Sequence, residues 1–142
     1  MDIERNGMEV PKPPSMKKRI LILDDEWAIL ELLRIKLVRY GFEVATARNE
    51  REFWTLAFEK RPDLLILDIW LGNQGESTRL YDDAVRAGFD SNVPVIFISA
   101  LVEDGSPPKR PSDGGRFVLY GKPFDFDLLL EDIRKLTCVS AS

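Results

Sequence analysis

An α/β domain, built on a five-stranded parallel sheet with helices on both faces, is the fold this sequence predicts. Three features predict it: short runs that are apolar on both faces, amphipathic segments between them, and turn signals at almost every junction. The 142 residues suit one domain with a single hydrophobic core.

The elements follow in order. Residues 1–17 hold Pro11, Pro13 and Pro14 without periodicity and read as a flexible leader outside the fold. Arg19-Ile-Leu-Ile-Leu23 is too short for a helix and ends at Asp24-Asp25, so it reads as a buried central strand. From Glu26 to Tyr40 the apolar residues Trp27, Ile29, Leu30, Leu33, Leu37 and Val38 recur at threes and fours. Asp25 is a suitable N-cap and Gly41 a stop, which predicts a helix with one buried face. Phe42 to Ala47 suits a second strand. Asn49 and Glu52 can form a capping box for a helix through Phe53, Trp54, Ala57 and Phe58, stopped by Pro62. Both Trp27 and Trp54 are expected to pack on the sheet or partly cover it. Leu64 to Trp70 is a third strand, interrupted by the charge of Asp68. Ser77 or Thr78 then caps a helix with Leu80, Tyr81, Ala84 and Val85 inside and Gly88 at its end. Val93 to Ile98 and Phe117 to Tyr120 are the last two strands. Asp125 caps a final helix with an apolar stripe of Leu128, Leu129, Ile133 and Leu136. Residues 18–137 form the domain, and 138–142 a short tail.

Strand and helix alternate except between Ser99 and Phe117. The 17 residues from Ala100 to Arg116 contain three prolines and three glycines, and an interior proline costs a helix ~3 kcal/mol. A Pro/Gly-rich loop is expected there in place of a fourth helix. Strands joined by helices need right-handed crossovers, which make the sheet parallel and doubly wound. In the flavodoxin-like order 2-1-3-4-5, a crevice opens beyond the C-terminal ends of strands one and three.

Composition removes several chemistries. The chain has no histidine and one cysteine, Cys138, which excludes histidine-based triads, phosphohistidine formation on this chain, His/Cys zinc sites and internal disulfides. A net charge of −4, from 24 acidic and 20 basic residues, gives no broadly basic surface for nucleic acid. No apolar run approaches the ~20 residues of a membrane span, and the N-terminus does not resemble a signal peptide. A cytoplasmic protein is the default reading.

Five polar residues stand at the C-terminal ends of otherwise apolar strands: Asp24, Asp25, Asp68, Ser99 and Lys122. In the order 2-1-3-4-5 they converge on one rim. Three carboxylates placed close together repel unless protonated or bridged by a cation, and an all-oxygen set favours a hard ion such as Mg²⁺. A carboxylate beside such an ion and a lysine is a plausible phosphoryl acceptor, with Ser99 as a hydroxyl donor to a phosphoryl oxygen.

Taken separately, these residues have plainer readings. Asp-Asp after a strand is commonly a helix cap, and Lys-Pro before a helix is punctuation. Taken together, Ile-Leu-Asp24-Asp25-Glu, Leu-Ile-Leu-Asp68-Ile-Trp-Leu, Phe-Ile-Ser99-Ala100 and Gly-Lys122-Pro123-Phe124 resemble the receiver domain of two-component response regulators, over residues 18–136. The choice of strand order rests partly on this resemblance. It implies that Asp68 accepts phosphate. Asp25 would bind Mg²⁺ directly and Asp24 mainly through water, with the Trp70 backbone carbonyl as a further ligand. Lys122 would pair with phosphoryl oxygens, Ser99 would be the switch hydroxyl, and the Lys122-Pro123 bond would be cis. The implied partners are a histidine kinase or histidine phosphotransfer protein and a downstream protein target, with no direct nucleic-acid or membrane contact. Such a domain is a phosphoacceptor and not an enzyme in the usual sense.

Four departures bear on how it works. Asp68 is followed by Ile69-Trp70-Leu71-Gly72 where the family usually has Met-Pro and then Gly. Trp70 is expected to shield an acyl phosphate and slow self-dephosphorylation, which an unchanged lifetime in Trp70→Asn would refute. The family's aromatic switch position is Leu119 here, and Tyr120 comes one residue late on the opposite strand face. Without a fourth helix, signalling is expected through residues 101–116 or the first helix. Two alternatives stand beside this reading: a degenerate receiver acting as a phosphorylation-independent interaction module, and an aspartate-nucleophile hydrolase. The hydrolase usually needs acids two apart after strand one, where this chain has Asp24-Asp25-Glu26-Trp27. With only a tail after the last helix, the chain reads as either stand-alone or a piece of a larger protein.

Overall fold

The computed structural model describes residues 17–69, 77–100 and 117–138. Strands β1 (Arg19–Leu23), β2 (Glu43–Ala47), β3 (Leu64–Asp68), β4 (Val95–Ser99) and β5 (Phe117–Gly121) form one sheet in the order β2-β1-β3-β4-β5. All four pairings are parallel, as the crossover rule requires. Helices α1 (Trp27–Arg39), α2 (Glu50–Lys60), α3 (Ser77–Arg86) and α4 (Phe126–Cys138) cover its two faces. The expected loop over 101–116 and the leader lie outside the described residues, as does Trp70.

The sheet divides the single expected core into two layers. Alternation along β1 sends Ile20 and Ile22 to one face and Leu21 and Leu23 to the other. On the first face Ile20, Ile22, Leu64 and Ile66 pack with Leu30, Leu33 and Leu37 of α1 and Leu129, Leu130 and Ile133 of α4. On the second, Leu21, Leu23, Leu65 and Leu67 pack with Phe53 and Ala57 of α2 and Leu80 and Ala84 of α3. The central strands are buried on both sides, which explains why their sequences do not alternate.

The helix ends correct some expectations. Asp25 does not cap α1. Glu26 holds the N-cap position, without a side-chain cap bond, and Asp24 Oδ1 accepts the Glu26 amide at 2.8 Å. Asn49 caps α2 by accepting from the Glu52 amide at 2.9 Å, but Glu52 Oε1 accepts from Arg48, one residue before the cap. Asp125 Oδ1 accepts from the Asp127 amide at 2.8 Å and so caps α4. The last helix runs through Cys138, one residue past the expected domain end. Gly41 and Gly88 end α1 and α3 at φ 95° and 112°, where a side chain would be strained.

Trp27, Val38, Phe58 and Leu128 are exposed, against expectation. At about 100° per residue, Trp27 and Val38 fall roughly a quarter-turn off the arc centred on Leu30, Leu33 and Leu37. Phe58 lies on a surface stack with Trp54, ring centres 5.6 Å apart. No helix among the described residues is long and apolar enough to cross a membrane.

Candidate functional site at the C-terminal rim of the sheet

The rim is built where apolar strands run out. β1 ends at Leu23, so Asp24 is the first residue past the strand; it is buried while Asp25 is exposed. Asp68 and Ser99 are the last residues of β3 and β4, and both are buried. Lys122 follows β5 directly, and its amide donates to the Ser99 carbonyl at 3.0 Å, which ties the two strand ends together. The Lys122–Pro123 peptide bond is cis.

One carboxylate oxygen each from Asp24, Asp25 and Asp68 lies within 4.8 Å of the others. Lys122 Nζ stands 3.0 Å from Asp24 Oδ2, 3.4 Å from Asp68 Oδ2 and 2.6 Å from Glu26 Oε1. The structure brings Asp24, Asp25, Asp68 and Lys122 together, and Glu26, read from the sequence only as the start of a helix, joins them. The signal lay in the spacing: with Asp24 bonding its amide, the side chain of Glu26 is free to turn toward the lysine.

Burial dominates the electrostatics. It raises the pKa of Asp68 to about 7, reinforced by the negative charge of Asp24 and only partly offset by Lys122. Burial also raises Asp24, against the lowering effects of the Glu26 amide and Lys122. For Lys122 burial favours the neutral form, but the bonds to Glu26 and Asp24 outweigh it, so its pKa lies above the ordinary lysine value. Three convergent carboxylates, two of them reluctant to ionise, are a donor set that a hard divalent cation suits.

The two strand-five candidates part company. Leu119 faces the α2/α3 layer, while Tyr120 is buried in the α1/α4 layer. There the Tyr120 hydroxyl donates to the buried carboxylate of Asp132 at 2.5 Å, and its ring meets Phe124 edge-on at 6.5 Å. Tyr120→Phe is expected to cost about 1–3 kcal/mol by removing a donor from a buried carboxylate, measured by urea unfolding.

A doubly wound sheet with acids just past β1 and at the end of β3, a hydroxyl at the end of β4 and a lysine just past β5 defines a receiver-type signalling domain. The family model described as "Response regulator receiver domain" matches residues 20–134, and the chain belongs to that family. It is 32% identical over 120 residues to the transcriptional regulatory protein CrdR of Helicobacter pylori, covering 84% of this chain and 55% of CrdR. It is 31% identical to the polar-differentiation response regulator DivK of Brucella anthropi, covering 84% of this chain and 95% of DivK. The chain spans about half the length, or less, of several other curated relatives. Among solved structures, a two-component response regulator from Clostridium difficile superposes with a TM-score of 0.72 at 21% identity, over 89% of this chain and all of that one. At that identity the likeness shows the fold.

Proposed function

We propose that this receiver accepts a phosphoryl group on Asp68 from a phosphohistidine donor and relays the change by protein–protein contact. The observation that carries the reading is the convergence of Asp24, Asp25 and Asp68 within 4.8 Å with Lys122 bonded to two of them. An Asp68 oxygen forms the new P–O bond as the P–N bond to the donor imidazole breaks. The bonding pair stays on that nitrogen, and the imidazole leaves neutral because its other nitrogen carries a proton. Asp24, Asp25 and Asp68, with the Trp70 carbonyl, would hold Mg²⁺. When bound, the ion offsets charge on the transferring oxygens. Lys122 bonds a phosphoryl oxygen, a charge-assisted contact that strengthens as charge develops. Ser99 donates its hydroxyl to another. The leaving donor must come from a partner, a histidine kinase or histidine phosphotransfer protein, because this chain has no histidine. The output target is a protein, and the setting is cytoplasmic.

The test is labelling by a small phosphodonor with Mg²⁺, on wild type and Asp68→Asn together. Stable label on wild type and none on the variant is expected. Equal labelling of both would overturn the acceptor assignment, and an unlabelled wild type would leave an interaction module.

A further inference from the structure

A protonated lysine has three N–H donors and no acceptor. Those of Lys122 meet three carboxylates of its own chain: Glu26 Oε1 at 2.6 Å, Asp24 Oδ2 at 3.0 Å and Asp68 Oδ2 at 3.4 Å. Three donors and three acceptors leave nothing over for a fourth partner, and the lysine side chain is only 12% exposed. A phosphoryl oxygen that bonds this ammonium must therefore displace one of the three.

They are not equally held. The side chains of Asp24 and Asp68 are 2% and 5% exposed, so either one, parted from the ammonium, would be left as a buried charge without a partner. Asp24 is fixed further by its second oxygen, which accepts the Glu26 amide at 2.8 Å. Glu26 is the exception, because its side chain is 59% exposed and water can solvate the carboxylate as it leaves. Nor does the start of α1 account for a glutamate at this place. It stands at the N-cap, a position that favours Ser, Thr, Asp or Asn, and makes no side-chain cap bond. Its carboxylate turns instead to Lys122, 96 residues away in sequence, in the shortest of the three contacts.

We propose that Glu26 is a positioning residue that keeps Lys122 closed in the unphosphorylated chain: its carboxylate holds the N–H that a phosphoryl oxygen takes, and swings out to water when that oxygen arrives. The proposal rests on Asp68 being the phosphoacceptor. Carboxylate and phosphoryl group are both oxygen anions suited to the same charge-assisted bond, so the first is an internal competitor of the second. Apparent affinity then falls with the fraction of molecules whose lysine is open. Removing the competitor is expected to raise both the labelling rate and the affinity for a phosphoryl-like anion by about three- to tenfold, the range of a part-exposed hydrogen bond between charged groups.

The test uses the full chain with Mg²⁺: wild type, Glu26→Gln and Glu26→Ala, together with Lys122→Ala and the Lys122→Ala/Glu26→Gln double variant. Two quantities are read, the rate of labelling by a small phosphodonor and, by calorimetry, the affinity for beryllium fluoride, which imitates a phosphoryl group on a carboxylate without any transfer. Circular dichroism checks that each variant folds. Both Glu26 variants are expected to gain about three- to tenfold over wild type in rate and in affinity, Glu26→Ala at least as much as Glu26→Gln, and the gain is expected to vanish in the Lys122→Ala background. A gain that persists without the lysine would mean that Glu26 only repels an anionic donor through space, and the proposal fails. A wild type that labels normally while the Glu26 variants are unchanged or weaker also overturns it, and leaves the phosphoacceptor reading intact. A wild type that takes neither label nor beryllium fluoride overturns that reading, and this proposal with it.

Discussion

Metal-free Asp68→Asn is expected to be more stable than wild type at pH 8, by about 2–4 kcal/mol, with the difference vanishing near pH 4. Asp68 ionises near 7 in the folded chain, mainly because burial and then the charge of Asp24 oppose its carboxylate. In the unfolded chain it ionises near the ordinary value of 3.8. Below about 4 both states are protonated, and the group favours neither. Between 4 and 7 the unfolded state has lost the proton while the folded state keeps it, so stability falls as pH rises. Above about 7 the folded state too is ionised, and the loss is complete. At 1.36 kcal/mol per tenfold change in proton affinity, that loss is on the order of 2–4 kcal/mol. An amide of the same shape carries no charge to desolvate and escapes the penalty. Urea unfolding of both proteins at pH 4, 6 and 8 in chelator measures the difference. Adding Mg²⁺ at pH 8 is expected to stabilise wild type and to act much less on Asp68→Asn, since ligands that bind only the folded state stabilise by mass action. A variant no more stable than wild type at pH 8 would mean that Asp68 is not held against its charge.

The same balance explains what could be read from the sequence. Strand positions were legible because β1, β3 and β4 are apolar on both faces, and a charge at the end of such a run marks the residue that leaves the core. Asp24, Asp68, Ser99 and Lys122 stood out for that reason. Helix burial was less legible. In α1 apolar residues occupy nearly every side, so Trp27 and Val38 could not be told from Leu30 and Leu33 by type alone, and only the packed sheet chose the buried arc. The role of Glu26 was hidden because its side chain bonds across 96 residues of sequence to Lys122. The placement of Tyr120 was half legible: alternation put it opposite Leu119, but its bond to Asp132 required knowing that α4 crosses the same face.

Lys122→Ala is expected to have the opposite sign to Asp68→Asn. The ammonium lies against Asp24, Glu26 and Asp68, and its side chain is only 12% exposed. Removing it leaves Asp24 and Asp68 buried beside each other without a cation, the situation in which breaking a buried pair costs about 3–5 kcal/mol. That full cost applies at pH 8. Near pH 5 both carboxyls can take a proton in the folded state, so the loss should shrink there; an equal loss at both pH values would refute this account. Mg²⁺ should stabilise Lys122→Ala more than it stabilises wild type, because the ammonium no longer competes for the carboxylates. Phosphoryl labelling should nonetheless slow by about 10²–10³-fold, the usual loss when one preorganised donor to developing charge is removed. Stability and reactivity therefore separate in this variant: a divalent cation can restore the first by offsetting charge, but it cannot replace a donor placed at the end of β5. At pH 8 the double variant Lys122→Ala/Asp68→Asn should be more stable than the sum of the two single effects predicts, with none of the labelling. That non-additivity is expected because the two residues share one contact, and a double variant equal to the sum would show that the lysine stabilises the fold through Asp24 and Glu26 alone.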